Sequence, residues 1–420
     1  MKLNNMKGSK MNLKSQDPKI SKLIVAEEER QKNTIDLIAS ENYASLAVRE
    51  ATASVLINKY SEGYPGKRYY AGQIYVDEVE EIAKERALKM FRLSKNSWHA
   101  NVQAYSGSPA NAAVYLGLLE FGDKVLGMKL DQGGHITHGL PISFSGRAYK
   151  FVSYGVDSKT EQLDYEEILK ITKKEKPKMI VCGATAYSRI IDFKKFSEIA
   201  KKVGAILFAD ISHIAGLIVG KVHPSPFPYA EVVMTTTQKT LRGPRGAIII
   251  CKKNLAQQID RAVFPGLQGG PHDNQTAAKA VCFGEALDPD FKIYAKQIVK
   301  NAKTLAKFLE KLGLRIVSGG TDNHLMLVDL RPVKLTGKEG QILLEEVGII
   351  CNKNTIPFDP EKPFIGSGIR LGTPAMTTRK MKEKEMVLIA ELISATLKKE
   401  KSKEKIQKEV LKLCRKFPIK

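Results

Sequence analysis

Short, nearly unbroken apolar runs recur through the first two thirds of the chain, separated by segments of helical period. Residues 124–128, 179–183, 205–210, 232–234 and 247–251 read as strands buried on both faces, since few polar residues alternate with the apolar ones. Residues 77–91 read as an amphipathic helix, with Val79, Ile82, Ala83, Leu88 and Phe91 spaced for one face. Residues 109–119 read as another, with Ser108 as its N-cap and Pro109 at the first helical position. A helix between the runs at 179–183 and 205–210 gives the alternation of a parallel sheet, so the expected class is α/β with a mostly parallel sheet. From about Leu287 the pattern turns to long helices and short strands, which marks a separate α+β domain. The expected organisation is a disordered basic extension over 1–20, an N-terminal segment and large domain over 21–286, a small domain over 287–400, and a basic C-terminal helix or tail over 401–420.

Composition adjusts this picture in three places. At 420 residues and 43% hydrophobic, the chain is too long for one core, in keeping with two domains. No apolar run approaches the ~18 residues of a membrane span, and the N-terminus has no apolar signal segment, so the expected location is cytoplasmic, with no membrane partner. The five cysteines are widely spaced without metal-type pairs, so neither a disulfide framework nor a metal site is expected. The formal charge of +22 is concentrated in the tails: residues 1–23 carry +5 and residues 398–420 carry +7. The rest is spread thinly, without a recognisable nucleic-acid motif, so no specific nucleic-acid partner is expected, although charge alone attracts polyanions.

Candidate chemistry centres on Met234-Thr-Thr-Thr-Gln-Lys-Thr-Leu-Arg-Gly-Pro-Arg-Gly-Ala247, which sets Lys239 among hydroxyls between two buried strands. Open α/β sheets bind ligands where strands end. A lysine desolvated there loses pKa, and its neutral amine can form an imine with a carbonyl. Asp210 closes another strand at the same kind of edge, and Ser106-Gly-Ser108 opens a helix whose free amides suit an anion. Residues 58–72 hold four tyrosines and Glu62 in a polar, glycine-rich stretch, which reads as a functional loop or an interface. Taken singly, each of these residues also has an ordinary reading: a solvated loop lysine or glutamate, helix caps at Ser40, Ser108 and Asp210, a loop histidine at 135, a surface arginine at 370.

The long motifs carry more. Leu37-Ile-Ala-Ser-Glu-Asn42, Asn58-Lys-Tyr-Ser-Glu-Gly-Tyr-Pro-Gly-Lys-Arg-Tyr-Tyr70, the lysine motif, Val263-Phe-Pro-Gly-Leu-Gln-Gly-Gly-Pro271 and Gly368-Ile-Arg-Leu-Gly-Thr-Pro374 together resemble the serine hydroxymethyltransferases over nearly the whole chain. The resemblance implies a fold-type I pyridoxal 5'-phosphate architecture with a mostly parallel seven-stranded sheet, working as a homodimer with shared active sites. It implies that Lys239 carries the cofactor, His135 lies on its ring, Asp210 pairs with its pyridine nitrogen and His213 sits near its ring oxygen. Ser106, Gly107 and Ser108 would hold its phosphate, and Thr236 would bind the cofactor. Ser40 and Arg370 would take the amino-acid carboxylate. Tyr60, Glu62 and Tyr70 would reach the partner's site, as would Gly269 and Gly270. Glu62 would handle the proton of the substrate hydroxyl, which calls for partial burial. Leu130, Gly134, Ile136, Asn354, Lys362, Pro363 and Phe364 fall where the family meets the folate. The chain departs from the usual pattern at Gln238, Gln132 and Tyr105, where histidines are common, at Pro109, and at Ala71-Gly-Gln-Ile-Tyr75.

The implied activity is reversible transfer of the hydroxymethyl carbon of L-serine to tetrahydrofolate, giving glycine and 5,10-methylenetetrahydrofolate. Two rivals remain at this point: a folate-independent aldolase of threonine or other 3-hydroxy amino acids, and a catalytically weakened relative that binds polyanions.

Overall fold

A computed structural model describes residues 12–419. The apolar runs assemble into a seven-stranded sheet built from β1 (Trp98–Asn101), β2 (Lys124–Met128), β3 (Lys150–Tyr154), β4 (Met179–Cys182), β5 (Ile206–Asp210), β6 (Val232–Thr236) and β7 (Ala247–Lys252). Their order is β1-β7-β6-β5-β4-β2-β3. β3, β2, β4, β5 and β6 run parallel, while β7 is antiparallel to both its neighbours. Side chains alternate between the two faces: Ile248 and Ile250 of β7 join one core, and Ala247, Ile249 and Cys251 the other. Both faces are covered by helices, so the strands are apolar throughout, and each fully buried Ile or Val contributes roughly 1.5–3 kcal/mol.

A smaller sheet follows, from β8 (Arg315–Ile316), β9 (Leu325–Asp329), β10 (Asn352–Asn354) and β11 (Gly368–Gly372), in the order β8-β9-β11-β10 and antiparallel throughout. The two cores meet inside one helix, Pro289–Lys311, whose Phe291, Ala295 and Ile298 belong to the first and whose Ala302, Leu305 and Leu309 belong to the second. The expected boundary at 286/287 therefore differs from the packing: an amphipathic helix this long spans both cores. Ile35 and Leu37 also enter the second core, because Ile35–Asp36 pairs in parallel with Ile349–Ile350. The 401–420 segment forms the helix Lys403–Lys416, which buries Ile406, Val410, Leu413 and Cys414.

The expected disordered extension is corrected where it is described. Asp17 caps the helix Pro18–Asn33 by accepting from the Ile20 amide, with Pro18 at a position that needs no donor. Residues 1–11 of that extension lie outside the described residues. The helix 109–119 is also corrected. It spans Gly107–Leu118, with Ser106 as N-cap, so Ser108 and Pro109 stand in its first turn. Proline costs nothing there, because those amides have no partner within the helix.

Candidate active site

The ends of β5 and β6, the first turn of Gly107–Leu118, the 130–139 loop and β11 surround a cavity of about 330 Å³. Gly107 belongs here for steric reasons: a Cβ on it would lie 2.7 Å from Thr236 Cγ2, so only glycine lets the turn approach β6. Ser106 makes no capping hydrogen bond of its own, and the first amides of the helix face an opening lined by Ser106, Gly107, Ser108 and Thr236. Partly free donors at a helix N-terminus suit a phosphate.

Lys239 lines the cavity and is 9% exposed. Burial draws its amine from the ordinary 10.5 down to about 8; the charges of Arg370 and Arg245 add to this, and Asp210 opposes it. Its carbonyl accepts from Asn42 Nδ2 at 2.9 Å, and Asn42 is itself held by Tyr294 and Thr378. The loop behind it closes through Thr237 Oγ1 donating to the Pro244 carbonyl at 2.6 Å and the Gly243 amide donating to the Thr237 carbonyl at 2.8 Å.

Asp210 ends β5 with four donors. Its Oδ1 accepts from the Ser212 amide (3.0 Å) and Oγ (2.6 Å), and its Oδ2 from Asn111 Nδ2 (3.0 Å) and His138 Nε2 (3.3 Å). Burial pushes this carboxyl up, but the hydrogen bonds from His138 and Asn111 outweigh it, holding the group well below the ordinary range. Asp210 is an ionised carboxylate that can fix a cationic N–H donor.

His135 is neutral. Burial draws it to about 4, with His138, Lys239 and Arg370 adding and Asp210 opposing. Its Nδ1 is engaged by Thr137, which leaves Nε2 and the ring face to the cavity. His135, His138 and Asp210 stand close enough to chelate a cation. The His138 tautomer weighs against that use: Nδ1 accepts the His135 amide at 3.3 Å, so the proton sits on Nε2 and points at Asp210. His213 also lines the cavity, its Nδ1 3.2 Å from His324 Nε2, and burial holds it well below the usual imidazole value.

Arg370 reaches the cavity from β11 and is 7% exposed. Nε donates to Asn352 Oδ1 (3.1 Å) and Nη1 to the Thr185 carbonyl (2.9 Å), so the guanidinium is aimed while donors remain for a carboxylate. Ser40 stands on the same wall.

The other expected residues are elsewhere. Tyr60, Glu62 and Tyr70 gather with Gly269 and Gly270 in a separate cluster: Tyr60 Oη donates to Glu62 at 3.2 Å, the Tyr60 and Tyr70 rings meet edge-on at 5.1 Å, and a Cβ on Gly270 would touch the Tyr60 ring at 3.3 Å. Tyr60 and Tyr70 are exposed and Glu62 half-buried. Leu130, Ile136, Lys362, Pro363 and Phe364 are exposed, Asn354 is half-buried, and Gly134 is pressed against the Met128 carbonyl; none of these lines the cavity. Two of the departures from the usual pattern, Gln132 and Tyr105, have local partners. Gln132 accepts the Val156 amide at 2.9 Å; Tyr105 donates to the Gly270 carbonyl at 2.7 Å and stacks on His272. Gln238 lines the cavity, its Oε1 buried without a partner among the described residues. Asn111, His138, Ser212 and Thr185 carry no signal of their roles in the sequence, and Asn42 stands there only as the end of the Leu37–Asn42 motif, without the role it has in holding Lys239.

Compared with known families, residues 13–393 match the family model described as Serine hydroxymethyltransferase.

Proposed function

We propose, from the premise that this chain belongs to the serine hydroxymethyltransferase family of pyridoxal-phosphate enzymes, that it transfers the hydroxymethyl carbon of L-serine to tetrahydrofolate, yielding glycine and 5,10-methylenetetrahydrofolate. The observation that carries this is the single cavity uniting a buried amine of lowered pKa, an ionised carboxylate, a neutral imidazole face, a helix N-terminus and an aimed guanidinium. That donor set fits a phosphorylated pyridine aldehyde: amides for the phosphate, Asp210 for a protonated ring nitrogen, Lys239 for the aldehyde.

Bound there, pyridoxal phosphate supplies an electron sink for the bond that breaks between the alpha and beta carbons of serine. The side chains do the rest. Lys239 would hold the cofactor by its aldehyde, because burial has drawn its amine down to about 8. His213 and Thr236 would bind the cofactor alongside Ser106, Gly107 and Ser108, which would take its phosphate. Arg370 and Ser40 would grip the carboxylate and so orient the substrate in the cavity. Glu62 takes the hydroxyl proton of serine, from the partner subunit, with Tyr60, Tyr70, Gly269 and Gly270 completing the partner's site. Their remoteness from their own cavity supports a homodimer, as do the exposed Val55, Ile57, Tyr69, Ile74 and Tyr75 beside them. Leu130, Gly134, Ile136, Asn354 and Lys362 to Phe364 form the folate side. We propose the cytoplasm as the compartment; no helix among the described residues is long and apolar enough to cross a membrane.

The test is glycine formation from serine by the purified protein with and without tetrahydrofolate. Strong folate dependence is expected. Cleavage of threonine that folate does not alter would replace this reading with an aldolase, and cofactor binding without turnover would favour a weakened relative.

Arg370→Lys checks the carboxylate grip. A point charge cannot reproduce two parallel N–H donors, so KM for serine should rise about a hundredfold, about 2.7 kcal/mol, with kcat less affected. An unchanged KM would remove Arg370 from the substrate site.

A further inference from the structure

Helix Asp273–Leu287 carries a charged side chain that the proposed chemistry does not use. Lys279 is 2% exposed, and none of the ion pairs among the described residues involves it. Its ammonium donates instead to three backbone carbonyls: that of Val102, that of Ala104 at 3.5 Å and that of Ala247 at 3.4 Å. Burial draws its amine down to about 7, opposed by the charge of Glu80, which is itself tied to Arg68 and Gln103. A hydrocarbon of similar size would fill the space without a desolvation cost. What a hydrocarbon cannot do is hold three converging carbonyls.

Those carbonyls belong to the two segments that frame the cavity. Val102 to Ala104 is the run from β1 into the Ser106–Ser108 turn. Ala247 opens β7, where the loop from Lys239 ends. The lysine stem lies along that loop's exit, with Cδ 3.4 Å from where a Cβ on Gly246 would stand. One backbone hydrogen bond, from the Ala247 amide to the Ala104 carbonyl at 3.3 Å, links the segments directly.

We propose that Lys279 is a positioning residue that clamps the lead-in of the Ser106–Ser108 turn to the exit of the lysine loop, and so sets the spacing between the phosphate-binding amides and Lys239. The proposal rests on the reading of the cavity as a cofactor site and adds what holds its two halves in register. Lys279 touches neither cofactor nor substrate.

The test uses full-length Lys279→Met, first without cofactor. Backbone amides in 102–107 and 237–247 should exchange at least tenfold faster than in the wild type, while β9 and β11 keep their rates. The dissociation constant for pyridoxal phosphate should rise tenfold or more, and Lys279→Gln, which keeps a donor, should fall between. Phe283→Leu on the same helix is the control for ordinary core damage. Wild-type exchange at both segments in Lys279→Met, or loosening spread as evenly as in Phe283→Leu, overturns the proposal. Should neither Lys279 variant fold, the wild type decides: both segments should open at one common rate, and two unrelated rates overturn the clamp. If the wild type does not bind pyridoxal phosphate at all, the functional reading fails while the exchange data still judge Lys279.

Discussion

Lys239→Ala is expected to reduce folate-dependent turnover of serine by about 10⁴-fold or more, about 5 kcal/mol of barrier, because no other amine among the described residues lines the cavity to attach the cofactor. Borohydride reduction of the wild type loaded with pyridoxal phosphate should label Lys239 alone, and a label on another lysine would reassign the site. The lowered pKa sets the pH dependence. At pH about 7.5 an amine of pKa about 8 is about one quarter neutral, against about one part in a thousand at its ordinary 10.5. The rate of cofactor capture by the cofactor-free protein should therefore climb with pH up to about 8 and then level off. A climb that continues to pH about 10 would mean that the amine is solvated.

Glu62→Ala should cost about 10³-fold in turnover, within the range for loss of a general acid or base. The decisive result is the mixture. If Glu62 serves the partner's cavity, a hybrid of Glu62→Ala and Lys239→Ala subunits contains one site with both lesions and one intact site. Random exchange of equal amounts makes half the dimers hybrids, so activity should recover to about one quarter of the wild type. No recovery after demonstrated exchange of subunits would return Glu62 to its own chain. The structural basis is plain in one subunit: Glu62 accepts from Tyr60 beside Gly269 and Gly270, and none of these lines the cavity that holds Lys239.

Much of the large domain is legible in the apolar pattern. β2 falls on the expected residues, and β4 to β7 within two residues of the expected ends, because a strand buried on both faces leaves an unbroken apolar run. Asp210 is legible for the same reason, as the polar residue that stops such a run, and Lys239 as the lysine in the polar loop between two of them. The helix start was not. Ser106 and Ser108 are equally good caps by type, and the choice follows from the fit of Gly107 against Thr236 on a strand distant in sequence. Over residues 12–20 the expected disorder gives way to helix because Asp17 followed by Pro18 is a local start signal strong enough to begin one, despite a composition rich in Asn, Lys and Ser.

By itself, then, the sequence determined five of the seven strands of the large sheet, the lysine loop, the family's motifs and the residue types available for chemistry, since periodicity and spacing are written along the chain. The tertiary structure decided the chemical state of those residues and their grouping. The lowered amine of Lys239 and the neutral His135 arise from desolvation, and the ionised Asp210 from hydrogen bonds that overcome it, in each case through groups brought together across distant segments. So does the separation of Tyr60, Glu62 and the 269–270 glycines from the cavity, and so does the burial of Lys279 on three carbonyls. Electrostatics and hydrogen bonding act through space, and linear order does not carry those distances.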